Sequence, residues 1–281
     1  MDRRRGPVAG TTRAADEPVE RATLVRRGEA AARPSTPASR PHRPPPTRAR
    51  SRAARYDAHL PTPREGAPAL TSTAAATGIV DIHAHYSPPA WTRLVREQGL
   101  RDGARYAEGP QGPLVHVEGE IPSGPITPEF VDLDLRLAAM DLQGVQWQAL
   151  SLTQPMACFD DADFSEAIAR TFNDSANDAH AAHPDRFVGL ATLPLNHPQR
   201  AVAELTRAAA LPGIRGVYFG TNTGRYELSD RALFPVYEAI CALGLPLFLH
   251  PVRQAGFDRL APVFLRNLIG TPMETAVAAS D

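Results

Sequence analysis

The feature that most constrains the fold is an alternation of short apolar runs with longer segments of helical period, which begins at Gly78. Runs rich in Val, Ile, Leu and Phe are typical of buried strands, and apolar residues spaced three or four apart predict the helices between them. The predicted strands span residues 78–85, 146–152, 187–195, 214–220 and 245–250. This order predicts five βα units around a parallel sheet, with residues 87–126 as an insertion after the first strand.

Two of the predicted helices begin at recognisable capping residues. Thr127 followed by Pro128 predicts a helix start, and Gly144 predicts the end of the same helix. Asp163, with Glu166 three residues later, predicts the start of the next helix. The apolar face predicted for that next helix consists of Phe164, Ile168, Phe172 and Ala176.

Repeated βα units adopt one of two architectures. They close into an eight-stranded barrel or lie open as a doubly wound sheet. No Gly-rich phosphate loop follows any of the predicted strands, which disfavours the dinucleotide-binding form of the open sheet. Both architectures place their functional site at the carboxyl ends of the strands, so we expect the site of this chain there.

Three histidines lie at such strand ends. His83 and His85 close the first predicted strand, and side chains at i and i+2 of a strand project from the same face. His250 ends the fifth predicted strand. Three neutral imidazoles suit Zn²⁺, and also Fe, Co or Mn, and leave positions open for water or substrate. The sequence therefore predicts a divalent metal site, the alternative being histidines on the surface at strand ends.

Four further residues near these strand ends are weaker candidates. Asp81 shares the face of the two histidines and could orient an imidazole by a hydrogen bond, although a structural buried Asp fits equally well. Arg253 could pair with a substrate carboxylate, the alternative being a solvated surface arginine. Ser151 and Asn196 also follow predicted strands and are candidates for contact with substrate.

Composition excludes several other kinds of chemistry. The chain has no lysine, which removes Schiff-base chemistry and a lysine-carbamate bridge between two metals. Cys158 and Cys241 are the only cysteines and lie far apart in the sequence, so neither a disulfide framework nor a Cys-rich metal cluster is indicated. No apolar run approaches the ~20 residues of a membrane helix, and no secretion signal is evident. We therefore expect a cytoplasmic protein without a membrane partner.

Charge divides the chain into two regions. Residues 1–56 carry 14 arginines against 5 acidic residues, whereas the remainder carries 16 arginines against 26 acidic residues. The acidic remainder argues against a nucleic-acid partner. Residues 1–76 are rich in Arg, Pro and Ala and poor in bulky apolar residues, which predicts a disordered tail before a barrel domain at 77–281. A transit peptide, a basic arm and a dispensable tail are the alternatives for this segment.

The pattern as a whole resembles a known family. Asp81-Ile82-His83-Ala84-His85 resembles the first-strand metal motif of the amidohydrolase superfamily. The order of the later segments resembles its amidohydrolase-2 branch, the group similar to aminocarboxymuconate-semialdehyde decarboxylase. The matching segments are Asn173-Asp174, His183-Pro184-Asp185-Arg186-Phe187, Ala191-Thr192-Leu193-Pro194-Leu195, Gly213-Ile214-Arg215-Gly216-Val217, Gly244-Leu245-Pro246-Leu247-Phe248-Leu249-His250-Pro251, Asn267-Leu268-Ile269-Gly270 and Pro272-Met273-Glu274-Thr275.

This resemblance implies a (β/α)₈ TIM-type barrel with one divalent metal, usually zinc. Its members mostly remove CO₂ without oxidation from aromatic or enoic carboxylic acids, and some instead hydrolyse esters, lactones or amides. By the same resemblance His83, His85 and His250 would be metal ligands. The expected partner is thus a small carboxylic acid, and a homodimer is left open.

The resemblance also implies residues that this chain does not supply. The family has a catalytic His after its sixth strand and a metal-binding Asp after its eighth, whereas Asp281 falls before the sixth strand and is not a candidate by position. We therefore expect an incomplete barrel of about five of the eight βα units, with the catalytic residues beyond residue 281. An inactive truncated fragment is the alternative to an active decarboxylase or hydrolase.

Overall fold

The computed structural model describes residues 78–99, 103–117, 124–253, 256–263 and 265–280. The disordered tail predicted for residues 1–76 lies outside these described residues. Within them, no helix is both long and apolar enough to cross a membrane.

A five-stranded parallel sheet forms the centre of the fold, as the sequence predicts. Its strands are β1 (Ile79–His85), β4 (Val145–Ser151), β5 (Phe187–Ala191), β6 (Ile214–Gly220) and β7 (Leu247–His250), and β2 (Ala104–Gly109) and β3 (Gly112–Val117) form a separate hairpin. The five strands lie in the order β1-β4-β5-β6-β7. Each strand is followed by helical structure, so the chain has the α/β architecture of an incomplete (β/α) barrel.

Two of the predicted strands are longer than the observed ones by two residues or more. The third ends at Ala191 rather than at residue 195, although Leu193 and Leu195 remain buried in the core. The fifth begins at Leu247 rather than at residue 245. An apolar run indicates burial, whereas membership of a strand also requires a hydrogen-bonded neighbour, and this second condition cannot be read from the run itself.

The helices pack on the outside of the sheet. They are α1 (Pro89–Gln98), α2 (Pro128–Val131), α3 (Leu133–Gln143), α4 (Ala162–Ala182), α5 (Pro198–Ala208), α6 (Phe234–Leu243), α7 (Phe257–Leu260) and α8 (Thr271–Ser280). The predicted insertion at 87–126 contains α1 and an antiparallel hairpin of β2 (Ala104–Gly109) and β3 (Gly112–Val117). The face predicted for α4 is confirmed, because its four apolar residues are all buried.

Local signals explain where α3 and α4 begin. The helix predicted from Thr127 is interrupted at Asp132, whose carboxylate accepts hydrogen bonds from the backbone N–H groups of Asp134 and Leu135 and starts α3. Asp163 as the cap of α4 is wrong, because Asp161 accepts the corresponding bonds and Asp163 lies in the first turn. Gly144 ends α3 with a φ of 70°, as predicted.

Candidate metal centre

The structure brings the three predicted histidines together. Their rings lie with centroids 4.8 Å apart for His83 and His85, and 5.1 Å from each of these to His250. One potential ligand nitrogen from each residue lies within 4.8 Å of the others. The pair projects from one face of β1 as expected, and Ala84 between them is buried on the other side.

This convergence depends on curvature of the sheet. β1 and β7 are the two outer strands of the described sheet, separated by four strand spacings. In a flat sheet those strands would lie about 19 Å apart, since neighbouring strands are separated by about 4.8 Å. Contact between their terminal histidines therefore requires the sheet to curl toward closure, which is the geometry of a barrel wall.

Two of the three imidazoles, those of His85 and His250, are suited to bind a cation because they are held neutral. Burial lowers the pKa of His85 to about 3, with additional repulsion from His250 and His83. Burial also lowers the pKa of His250 to about 4, again with repulsion from His83. Neutral imidazole is the form that ligates a metal, so the lone pairs are available at pH 7 without loss of a proton.

Ser151 forms a hydrogen bond with the imidazole of His85. Its Oγ lies 3.1 Å from His85 Nδ1 and the residue is fully buried at the end of β4. A proton on Nδ1 that is donated to Ser151 leaves the lone pair on Nε2, which is the nitrogen 3.1 Å from His83 Nε2. The sequence suggested contact of Ser151 with substrate, whereas its hydrogen bond is to a candidate ligand.

We expect Ser151→Ala to weaken zinc binding by about 10- to 100-fold, because residues that orient ligating histidines contribute this much to metal affinity. Competition against a chromophoric chelator would measure the change. Ser175→Ala is the matched control, since its hydroxyl bonds to Thr171 O within α4. Equal zinc affinity of Ser151→Ala and the wild type would show that the hydrogen bond does not orient His85.

Asp81 acts on the backbone rather than on an imidazole. Its Oδ1 accepts a hydrogen bond of 3.0 Å from the backbone N–H of His83, and its Oδ2 accepts one of 3.1 Å from Gln148 Nε2. The imidazole contact expected from the sequence is not among these hydrogen bonds. Asp81 therefore contributes to the site by holding the end of β1 in place.

Arg136 is a member of the site that the sequence reading missed. This buried arginine of α3 donates to the carbonyl oxygen of His85 and, at 3.0 Å, to Gln148 Oε1. Burial lowers the pKa of Arg136. The spacing in the sequence could have indicated that Arg136 is buried. It lies three residues after Leu133 and four before Met140, and therefore on the helix face that packs inward.

Tyr218 is a second residue that the sequence reading missed. Its buried ring lies 5.5 Å from the ring of His250 and 6.2 Å from that of His85. Burial raises the pKa of the Tyr218 phenol, with the hydroxyl of Ser151 opposing the shift. The phenol is therefore neutral at pH 7 and forms one wall beside the histidines. Its position was readable from the alternation along β6, where Gly216, Tyr218 and Gly220 share one face.

Hydrogen bonds connect the segment that carries His250 to the residues after β6 and to α8. The backbone N–H of Thr221 donates to His250 O at 2.9 Å, and Thr221 Oγ1 accepts from the backbone N–H of Val252 at 3.1 Å. The same hydroxyl donates to Glu274 Oε1 at 2.9 Å, and Asn222 Nδ2 donates to this oxygen as well. These bonds position His250 along the direction of the strands, next to the end of β1.

Two clefts open beside these strand ends. One has a volume of about 250 Å³ and is lined by His85, Gly124, Pro125, Ile126, Phe130, Thr153 and Gln154. The second, of about 230 Å³, contains Arg253 and Asn196 among its lining residues. The structure therefore places Arg253 and Asn196 on the side of the sheet where the histidines lie, in a cleft of their own.

The fold and the three-histidine cluster define a class, the α/β-barrel proteins with a candidate metal site at the carboxyl ends of the strands. The Amidohydro_2 family, described as amidohydrolase, matches residues 80–276, which is more than half of the chain. The chain belongs to this amidohydrolase family.

Similar proteins share this fold. The chain is 29% identical over 210 residues to 2-amino-3-carboxymuconate-6-semialdehyde decarboxylase of Dictyostelium discoideum, which covers 71% of this chain and 56% of that protein. The apo crystal structure of Metarhizium anisopliae IDCase has a TM-score of 0.64 and 29% identity, covering 73% of this chain and 60% of that one. 5-Carboxyvanillate decarboxylase LigW of Sphingomonas paucimobilis has a TM-score of 0.54 and 27% identity, covering 72% and 61%. The chain thus spans about six-tenths of the length of these relatives.

Proposed function

We propose that this chain forms part of a metal-dependent decarboxylase that removes CO₂, without oxidation, from an aromatic or enoic carboxylic acid. The observation that carries the proposal is the cluster of three histidines beside a cleft of about 250 Å³. The names of two relatives, an aminocarboxymuconate-semialdehyde decarboxylase and a 5-carboxyvanillate decarboxylase, support the type of reaction. Because the chain is shorter than these relatives, the activity is proposed for the whole barrel.

The proposed ligands are His83, His85 and His250, and the proposed ion is Zn²⁺. Three imidazoles fit zinc and would also accept manganese. The buried Nδ1 of His250, which has no hydrogen-bond partner in the described part of the chain, fits an uncharged ligand ring better than an imidazolium. A bound divalent ion would supply Lewis-acid stabilisation of the negative charge that develops as CO₂ leaves.

The residues of this chain would position the substrate. Ile126 and Phe130 give the first cleft an apolar side against which a ring or diene can pack. Gln154 Nε2 is buried without a hydrogen-bond partner among the described residues and can donate to a substrate oxygen. Arg253 is proposed to pair with a carboxylate. The proton donor and the fourth ligand implied by the resemblance are not assigned to residues of this chain.

Measurement of CO₂ release tests the proposal. The protein that contains this chain and the rest of the barrel, loaded with zinc or manganese, would be incubated with carboxyl-labelled 5-carboxyvanillate and with 2-amino-3-carboxymuconate-6-semialdehyde, and also with aryl esters and lactones. Metal-dependent release of labelled CO₂ that is lost in His250→Ala is the expected result. Turnover of esters or lactones without CO₂ would replace the proposal with a hydrolase, and stoichiometric metal with neither activity would overturn both. The same assay on residues 1–281 alone would show whether this chain is an inactive fragment.

A further inference from the structure

Thr221 lies where the pairing between β6 and β7 ends. The last register pair of these two strands is Gly220 with His250. Beyond it, the backbone N–H of Thr221 donates to His250 O at 2.9 Å. In a continuing parallel ladder the backbone N–H of Val252 would donate to the carbonyl oxygen of Thr221. Here it donates to Thr221 Oγ1 at 3.1 Å, so a side-chain hydroxyl takes over as the acceptor.

The same hydroxyl connects this segment to α8. A hydroxyl has one proton, and two acceptors lie near Thr221 Oγ1, namely Glu274 Oε1 at 2.9 Å and Val252 O at 3.4 Å. The proton points to Glu274, because that contact is shorter and a carboxylate is the stronger acceptor. Asn222 Nδ2 donates to the same Glu274 oxygen at 2.9 Å and to Val252 O at 3.2 Å. The carboxylate therefore fixes the direction of both the hydroxyl and the amide.

This network is shielded from water. Thr221 is fully buried, and Val252 and Glu274 are 3% and 7% exposed. Water cannot replace a lost partner at such a site, so removal of one group leaves its neighbours unsatisfied. The segment after β7 is therefore positioned by one hydroxyl and one carboxylate rather than by further strand pairing.

We propose that Thr221 and Glu274 are positioning residues for the metal ligand His250, and that they couple α8 to the metal centre. The inference rests on the proposed function, which makes His250 a ligand. Neither residue would bind the ion. They hold the backbone at His250 O and at the N–H of Val252, so that the imidazole between these points meets the other two histidines, whose ring centroids lie 5.1 Å away. Such coupling is reciprocal, so a bound ion would also stabilise α8.

Thr221→Val tests the positioning role, because valine keeps the branched shape and removes only the hydroxyl. In the protein that contains this chain and the rest of the barrel, the substitution is expected to weaken zinc binding by about tenfold or more, as for other residues that support metal ligands. Thr221→Ser returns the hydroxyl and is expected to restore most of the affinity. Glu274→Leu should reproduce the loss. Competition with a chromophoric chelator would measure the affinity of each protein.

Thr223→Val is the matched control. Thr223 is 1% exposed, and its hydroxyl accepts hydrogen bonds from the backbone N–H groups of Arg225 and Tyr226 within the loop after β6. This substitution is expected to lower stability in chemical denaturation while leaving zinc affinity unchanged. Equal losses of zinc affinity in Thr221→Val and Thr223→Val would overturn the proposal, because the effect would then be one of general stability.

Hydrogen exchange gives a second readout of the coupling. Zinc at saturating concentration is expected to slow exchange of the backbone amides of α8 in the wild type but not in Thr221→Val. Undiminished zinc affinity in Thr221→Val would refute the positioning role, and exchange of α8 that ignores zinc in the wild type would refute the coupling. A wild type that binds no zinc would overturn this proposal together with the metal centre. Zinc binding that depends on Thr221, without CO₂ release, would refute only the proposed function.

Discussion

Replacing His250 by alanine is expected to reduce zinc affinity by at least about 100-fold. Structural zinc sites with four protein ligands bind with roughly 10–16 kcal/mol, so each ligand contributes about 2.5–4 kcal/mol, which corresponds to a factor on the order of 100 or more in affinity. His250 comes from β7, across the curled sheet from the pair on β1. Its removal would leave two imidazoles from a single strand. Competition with a chelator of known affinity would give the dissociation constant, and elemental analysis the stoichiometry.

The control for this experiment is another histidine on the same domain. His116→Ala removes an exposed imidazole on the hairpin, outside the cluster of three, and is expected to leave zinc affinity unchanged. His83→Ala should match the loss in His250→Ala, because both residues complete the same ligand set. Undiminished zinc affinity in His250→Ala would refute the proposed metal centre.

Arg136→Met is expected to lower the free energy of unfolding by about 2–4 kcal/mol. The substitution keeps an unbranched apolar stem but removes the guanidinium, which leaves His85 O and Gln148 Oε1 without their donor, and each unsatisfied buried acceptor costs about 1–3 kcal/mol. Gln148 in turn holds Asp81, which binds the backbone of His83. Zinc affinity should therefore fall together with stability. Chemical denaturation and chelator competition on the same preparation would measure both.

Arg93→Met provides the comparison, since Arg93 is exposed on α1. It is expected to change the free energy of unfolding by less than about 0.5 kcal/mol. If Arg136→Met unfolds at the same denaturant concentration as the wild type, the buried arginine does not support the end of β1. Loss of stability without loss of zinc affinity would limit its role to packing.

Local signals in the sequence were sufficient for the strands of the parallel sheet, whereas α1 and the β2–β3 hairpin of the insertion were not predicted. Apolar runs predicted all five strands of the sheet, and Gly144 and Thr127 marked helix boundaries that the structure retains. The errors lie where two local solutions compete. Asp161 and Asp163 are both residues that commonly cap a helix, and in the structure Asp161 is the cap of α4. Leu193 and Leu195 are buried without a strand, because apolar character indicates burial and not pairing.

The candidate site was predicted to the extent that it depends on a single strand. The two-residue period of β1 determined that His83 and His85 project together, and that would hold in any parallel sheet. The support behind them was not predictable in this way. The sequence made Ser151 only a candidate for contact with substrate and gave no role to Arg136, because both residues bond to His85, which lies 66 and 51 residues away in the chain.

The sequence by itself determined which side chains could bind a cation and at which end of the sheet they lie. Alternation along a strand and the direction of parallel strands are local properties. Only the tertiary structure decided that His250 meets the pair, because that contact requires curvature accumulated over five strands. It also decided that Arg253 faces a separate cleft rather than the histidines, because the loops after four different strands build that cleft.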